Sequence, residues 1–193
     1  MHLAAAGGHI DCMKLLLSCG ANINAIDDYY WTPLGIVVGH DKIDMDAFQF
    51  LVEHGANVND AVFPGLPLLV YSVNQGSLEG AKALIEAGAE VDLQVNNGFT
   101  ALFCAVSGAN KQCVQLLLDH GADPDLAVHV SLYQIRRSGS LIKQSAWEGF
   151  MRDTLHTTDE NNLIITPRQF AEFLREDEIL KLLPPADSQR LRA

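Results

Sequence analysis

Arginine is missing from the first 130 residues of this 193-residue chain, and lysine is scarce there: Lys14, Lys42, Lys82 and Lys111 stand against fifteen acidic side chains. The whole net charge of −11 lies in that part, because residues 131–193 carry nine bases and nine acids. A polyanionic surface repels nucleic acid and anionic membranes, so neither is the expected partner. Long apolar runs are lacking too, and none approaches the ~20 residues that span a bilayer as a helix. The N-terminus, Met1-His-Leu-Ala-Ala-Ala6, has neither the basic flank nor the long apolar core of a secretory signal. Cysteine is sparse. Cys12, Cys19, Cys104 and Cys113 sit inside helical patterns without metal-ligand spacing, which points to the reducing cytosol or nucleus. There is no glycine-rich phosphate loop, no nucleophile elbow and no His-Glu-x-x-His, so the sequence offers no grounds for catalysis.

What is abundant is self-similarity. Four segments nearly superimpose: Leu15-Leu-Leu-Ser-Cys-Gly20-Ala-Asn-Ile-Asn24, Phe50-Leu-Val-Glu-His-Gly55-Ala-Asn-Val-Asn59, Ala83-Leu-Ile-Glu-Ala-Gly88-Ala-Glu-Val-Asp92 and Leu116-Leu-Leu-Asp-His-Gly121-Ala-Asp-Pro-Asp125. Their glycines are 35, 33 and 33 residues apart. Twelve residues after each glycine a second landmark opens with Thr32-Pro-Leu, Pro67-Leu-Leu, Thr100-Ala-Leu and Tyr133-Gln-Ile, and Thr166-Pro-Arg continues the period. Self-similarity at such a period marks stacked supersecondary units that bury a shared core. Within each unit the local chemistry is helical. Thr32 and Thr100 can cap a helix with their hydroxyls, and Pro33 suits a first helical turn. Gly20, Gly55, Gly88 and Gly121 follow leucine-rich helices, where a left-handed residue ends the helix.

These motifs resemble those of the ankyrin-repeat family: Thr-Pro-Leu-His-Leu-Ala-Ala, a Gly-His turn, an Ile-Val-x-Leu-Leu-Leu helix, then Gly-Ala-Asp-Val-Asn. Met1-His-Leu-Ala-Ala-Ala-Gly-Gly8-His9 matches from its leucine position onward, and the resemblance runs to about residue 183. It implies an all-α solenoid of stacked helix-turn-helix units with β-turn fingers. Helix pairs are expected at about 8–16, 32–54, 67–87, 100–120 and 166–183, with a degenerate repeat at 133–165. Met1 falls inside the first motif, so the first helix is expected to lack its cap. Gly39-His-Asp-Lys-Ile-Asp44 holds two extra residues, so the second inter-helix turn should be longer. Tyr30 stands where Gly65 and Gly98 supply the finger glycine; it is strained if the backbone there needs positive φ. Pro184-Pro185 stops the last helix, and residues 184–193 are expected to form a flexible tail.

The resemblance also implies what the chain does. Ankyrin arrays bind other proteins on the concave face made by fingers and first helices. The exposed finger positions correspond here to Asp28, Tyr29, Trp31, Phe63, Leu66, Asn96, Asn97 and Phe99, and the ends of first helices to Asn74, Gln75 and Ser107. Trp31, Leu66 and Phe99 share one repeat position and are expected to form a row; the competing role for such aromatics is packing between fingers. With acids such as Asp27, Asp28 and Asp60 on the fingers, the expected partner is a basic or mixed-charge protein segment engaging residues 27–107. No cofactor, metal or small-molecule substrate is expected. His54 and His120 hold equivalent positions two repeats apart, about 20 Å by helix spacing, too far to share an ion. Cys104 takes the place of a buried leucine, where a thiol is inert. The pairs Leu16…Asn24 and Leu51…Asn59 resemble the pattern around asparagines that a cellular hydroxylase modifies in such repeats. The alternative reading is an ankyrin targeting or regulatory arm of a larger enzyme or effector whose catalytic domain is not in this chain.

Overall fold

The computed structural model describes residues 1–40, 42–62, 65–94, 98–130 and 163–185. The chain forms two compact units, Met1–Glu90 and Val91–Ala193. The first holds α1 (His2–Ala6), α2 (Ile10–Ser18), α3 (Pro33–Gly39), α4 (Met45–Glu53), a small antiparallel finger of β1 (Ala61–Val62) and β2 (Leu66–Pro67), α5 (Leu68–Asn74) and α6 (Leu78–Glu86). The second holds α7 (Ala101–Ser107), α8 (Lys111–Asp119), the antiparallel strands β3 (Val128–Val130) and β4 (Leu163–Ile165), α9 (Pro167–Leu174) and α10 (Asp177–Leu180). This is the helix-turn-helix solenoid class that the repeat implied.

Six of the described helices start where a side chain takes up a free N–H group. Thr32 Oγ1 accepts from Gly35 N at 3.1 Å, and Thr100 Oγ1 from Phe103 N at 3.2 Å. Asp44, Ser77 and Asn110 do the same for α4, α6 and α8. Thr166 and Gln169 form a reciprocal capping box at α9. α1 has no side-chain cap. Gly20, Gly55, Gly88 and Gly121 follow the second helices with φ between 83° and 92°, and a Cβ on any of them would meet nothing. Their requirement is therefore conformational and not steric. Residues 40–44 join α3 to α4, against 75–77 and 108–110 in the corresponding links, which is the longer turn that the sequence foretold.

Within the first unit the core is Met13, Leu34, Val37, Phe48, Leu51, Leu68 and Leu84, all but fully buried. Within the second it is Phe99, Leu102, Phe103, Val114, Leu117, Phe170 and Ile179. The degenerate repeat expected at 133–165 falls mostly outside the described residues. Its described neighbours pack on each other directly. Phe170 of α9 stacks on Phe103 of α7, with ring centroids 5.2 Å apart, and β3 pairs with β4. The last helix pair thus seats on the α7–α8 pair with no layer between them. Among the described residues, the helix pair that follows residue 125 begins at Pro167.

The Gly-Ala-Asn-x-Asn motif has a division of labour. Its first Asn or Asp closes its own turn: Asn22 Oδ1 accepts from Asn24 N, Asn57 Oδ1 from Asn59 N, and Asp123 Oδ1 from Asp125 N. Its second reaches the neighbouring repeat. Asn24 Oδ1 accepts from Asn57 N at 2.9 Å while its Nδ2 donates to Gly55 O at 3.1 Å. Asn59 Oδ1 accepts from Glu90 N at 2.8 Å. In the second unit Asp92 accepts from Asp123 N, and Asp125 takes a bidentate pair from Arg168 at 2.6 and 2.9 Å.

Asp92 is the weak member of this series. Burial raises its pKa above the usual value. The Asp123 N–H opposes that, and the Asp123 carboxylate adds to it. A carboxyl whose folded pKa is raised favours the fold most when protonated, below its unfolded pKa, and that advantage is lost as pH rises through the folded pKa. Asp92→Asn keeps the acceptor for Asp123 N, removes the charge, and supplies the amide that donates to a glycine carbonyl in the Asn24 repeat. It should raise stability by about 0.5–1.5 kcal/mol at pH 7. Thermal melts of the variant and parent between pH 4 and pH 7 should show the gain shrinking toward the acid end.

Candidate functional site

The first finger is a tight loop over Asp27–Trp31. Asp27 N donates to Trp31 O and Tyr30 N to Asp27 O, each at 3.0 Å. Asp27 Oδ1 accepts from both Tyr29 N and Trp31 N at 2.9 Å. From α1, His2 Nε2 lies 3.0 Å from Ala25 O and 2.9 Å from Trp31 O, so one ring N–H reaches both carbonyls at the finger base. Residues 28–30 are held proud of this frame. Asp28 is exposed, Tyr29 is 76% exposed and Tyr30 54%. Tyr30 has φ 64°, the left-handed region that Gly65 and Gly98 occupy at φ 83°. The strained alternative foreseen for Tyr30 is therefore the one adopted.

Trp31 does not stand out as an exposed anchor. It is half-buried: its ring meets Tyr71 edge-on at 5.3 Å and lies across α3. A Cβ on Gly39 would come within 2.8 Å of Trp31 Cζ3, and one on Gly35 within 3.3 Å of Cε3. The two glycines of α3 leave the groove that this indole fills. Leu66, on β2, is half-buried, and Asn74 and Gln75 are exposed at the end of α5. Phe63, Asn96 and Asn97 lie outside the described residues.

In the second unit, Phe99 corrects the expectation directly. It is 1% exposed and stacks on Phe103 with centroids 5.0 Å apart. A phenylalanine next to a capping threonine has an apolar layer beneath it, so burial wins over display. Ser107 is half-buried at the end of α7. The exposed row of Trp31, Leu66 and Phe99 is thus not what the finger positions present, and the competing packing role applies to Trp31 and Phe99. The repeat register marks Tyr30 only for its backbone conformation, yet the residue is also a surface feature. Its place beside Tyr29 in a loop tip was the available signal.

Other chemistry is thinly provided. Burial pushes the Cys104 thiol up to about 12, far from nucleophilic at neutral pH. All four cysteines are free. Among the described residues no three His, Cys, Asp or Glu side chains are grouped to hold a metal, and no helix is long and apolar enough to cross a membrane. His54 and His120 each direct Nδ1 to a carbonyl of their own helix, Phe50 O and Leu116 O. Asn24 and Asn59, the asparagines of the hydroxylation pattern, hold the inter-repeat bonds described above.

Helix pairs at this period, finger loops and a glycine after each of α2, α4, α6 and α8 define a repeat protein of the ankyrin type. The family model described as ankyrin repeats (three copies) matches residues 1–95 and again 44–128. The chain belongs to the ankyrin-repeat family. Such repeats are generally protein–protein interaction modules and typically non-catalytic.

Proposed function

We propose that this chain is a non-enzymatic module that binds a basic or mixed-charge protein segment through the first unit's finger and first-helix face. The observation that carries this is the first finger: two exposed tyrosines and an exposed aspartate held on a hydrogen-bonded frame, in a unit with three lysines and eleven acids. Lys14 pairs with Asp11 and Lys82 with Glu86, whereas Asp27, Asp28 and Asp60 form no ion pair among the described residues. The finger acids are therefore open to an outside cation. Asn74 and Gln75 extend the face with polar groups at the end of α5. The same charge disfavours nucleic acid and anionic membrane as partners. The four free thiols fit a reducing compartment, the cytosol or nucleus.

Selection of a random peptide display library on the immobilised chain should enrich basic sequences. Their association rate should fall several-fold between low and physiological salt, and fall again for Asp27→Asn/Asp28→Asn, which keeps the Asp27 acceptor but removes both charges. Enrichment of neutral or acidic peptides, or a rate indifferent to salt and to the double substitution, rejects the reading.

A further inference from the structure

We propose that Tyr29 and Tyr30 form an aromatic seat for an arginine side chain of the partner, with Asp28 as its counter-ion; this rests on the reading of the first finger as a protein-binding face. Tyr30 is in a conformation that disfavours any side chain, at a position where Gly65 and Gly98 serve the other fingers. Tyr30 is 54% exposed, its ring makes no hydrogen bond or ring contact among the described residues, and Tyr29 beside it is more exposed still. Trp31, one residue on, is by contrast committed to Tyr71 and the glycines of α3. The finger therefore separates its aromatics: Trp31 anchors the loop, and the two tyrosines face outward.

The chemistry of the tip selects among cations. Asp27 spends one carboxylate oxygen on two backbone N–H groups, so its role is to shape the loop. Asp28 is exposed with no ion-pair partner among the described residues. A carboxylate next to two phenol rings offers a cation both charge and π-faces. Arginine uses both, because its planar guanidinium stacks on an aromatic face while its N–H edge meets a carboxylate. The strongly hydrated lysine ammonium relies mainly on the charge.

The test uses short glycine/serine peptides carrying three arginines, three lysines or three leucines, labelled for fluorescence anisotropy and titrated with the whole chain. The arginine peptide should bind about two- to fivefold tighter than the lysine peptide, and the leucine peptide least well. Tyr30→Gly should abolish the arginine preference while raising the thermal midpoint by a few degrees, because it removes the strain. That opposite movement separates a lost contact from a damaged fold. Tyr30→Phe should keep the preference, and Asp28→Asn should weaken both basic peptides alike. Equal binding of the arginine and lysine peptides, or a preference that survives Tyr30→Gly, overturns the seat and leaves the basic-partner reading standing. If neither basic peptide binds, or the leucine peptide binds best, both fall.

Discussion

Phe99→Ala should cost the Val91–Ala193 unit about 3–5 kcal/mol of stability. The ring is buried, stacks on Phe103, and Phe103 in turn stacks on Phe170, so three aromatic layers run from the finger through α7 to α9. Truncation removes one end of that stack and leaves a cavity beside Thr100, whose hydroxyl caps α7. Urea denaturation should show the lowered midpoint, and hydrogen exchange should quicken first in α7 and α9. The result also decides a functional point. If Phe99 were a contact residue, the alanine variant would lose affinity with its stability intact. As a core residue it should lose stability, and affinity only in proportion to the unfolded fraction. Tyr30→Gly should behave in the reverse way, so the pair distinguishes a displayed aromatic from a buried one at neighbouring finger positions.

Replacing residues 131–162 by a four-residue turn should leave the α7–α10 stack folded and raise its stability by about 2 kcal/mol. β3 and β4 are the two arms of one antiparallel hairpin, with Val128 opposite Ile165 and Val130 opposite Leu163, so these thirty-two residues connect strand ends that already meet. Closing a shorter connection costs less chain entropy, at about 0.6 kcal/mol for each halving of length. Arg168 holds Asp125 from α9 whatever lies between the strands, which keeps the joint independent of the connection. A denaturation midpoint that rises with helical content unchanged would meet the expectation. A fall in the midpoint would show that the replaced residues contribute packing of their own.

The parts of the fold that were legible in the sequence were those fixed by local chemistry. Thr32 and Thr100 cap helices because a hydroxyl at that offset can reach an N3 amide, and the glycines at 20, 55, 88 and 121 end them because the backbone there has positive φ. The 33-residue period carried that information from one unit to the next. After Asp125 the spacing alone does not say which landmark opens the helix pair that packs on α7; the stacking of Phe170 on Phe103 shows that α9 does so. At the site, position within the repeat identified the finger residues but not their exposure. Trp31 turned inward because Gly35 and Gly39 make room on α3, and Phe99 because Phe103 lies beneath it. Tyr29 kept its exposure because the bonds from Asp27 fix the loop around it. Side-chain neighbours one helix away decide such questions, and no spacing rule encodes them.

The joints between repeats are read through the main chain. Asn24, Asn59 and Asp92 each accept the backbone N–H of residue 57, 90 or 123, and the amino acids that offer it are Asn, Glu and Asp. The bond asks only for an amide hydrogen, so Asn, Glu and Asp all serve it, while Asn57 and Asp123 also close their own turns with their side chains. Proline alone is barred, having no hydrogen to give. The chain comes within one position of that prohibition: Pro124 follows Asp123 directly, at a place where only a carbonyl is used, accepting from Arg168 N at 3.1 Å. A grammar of this kind separates what holds the array together from what it displays, and leaves the displayed half free to diversify.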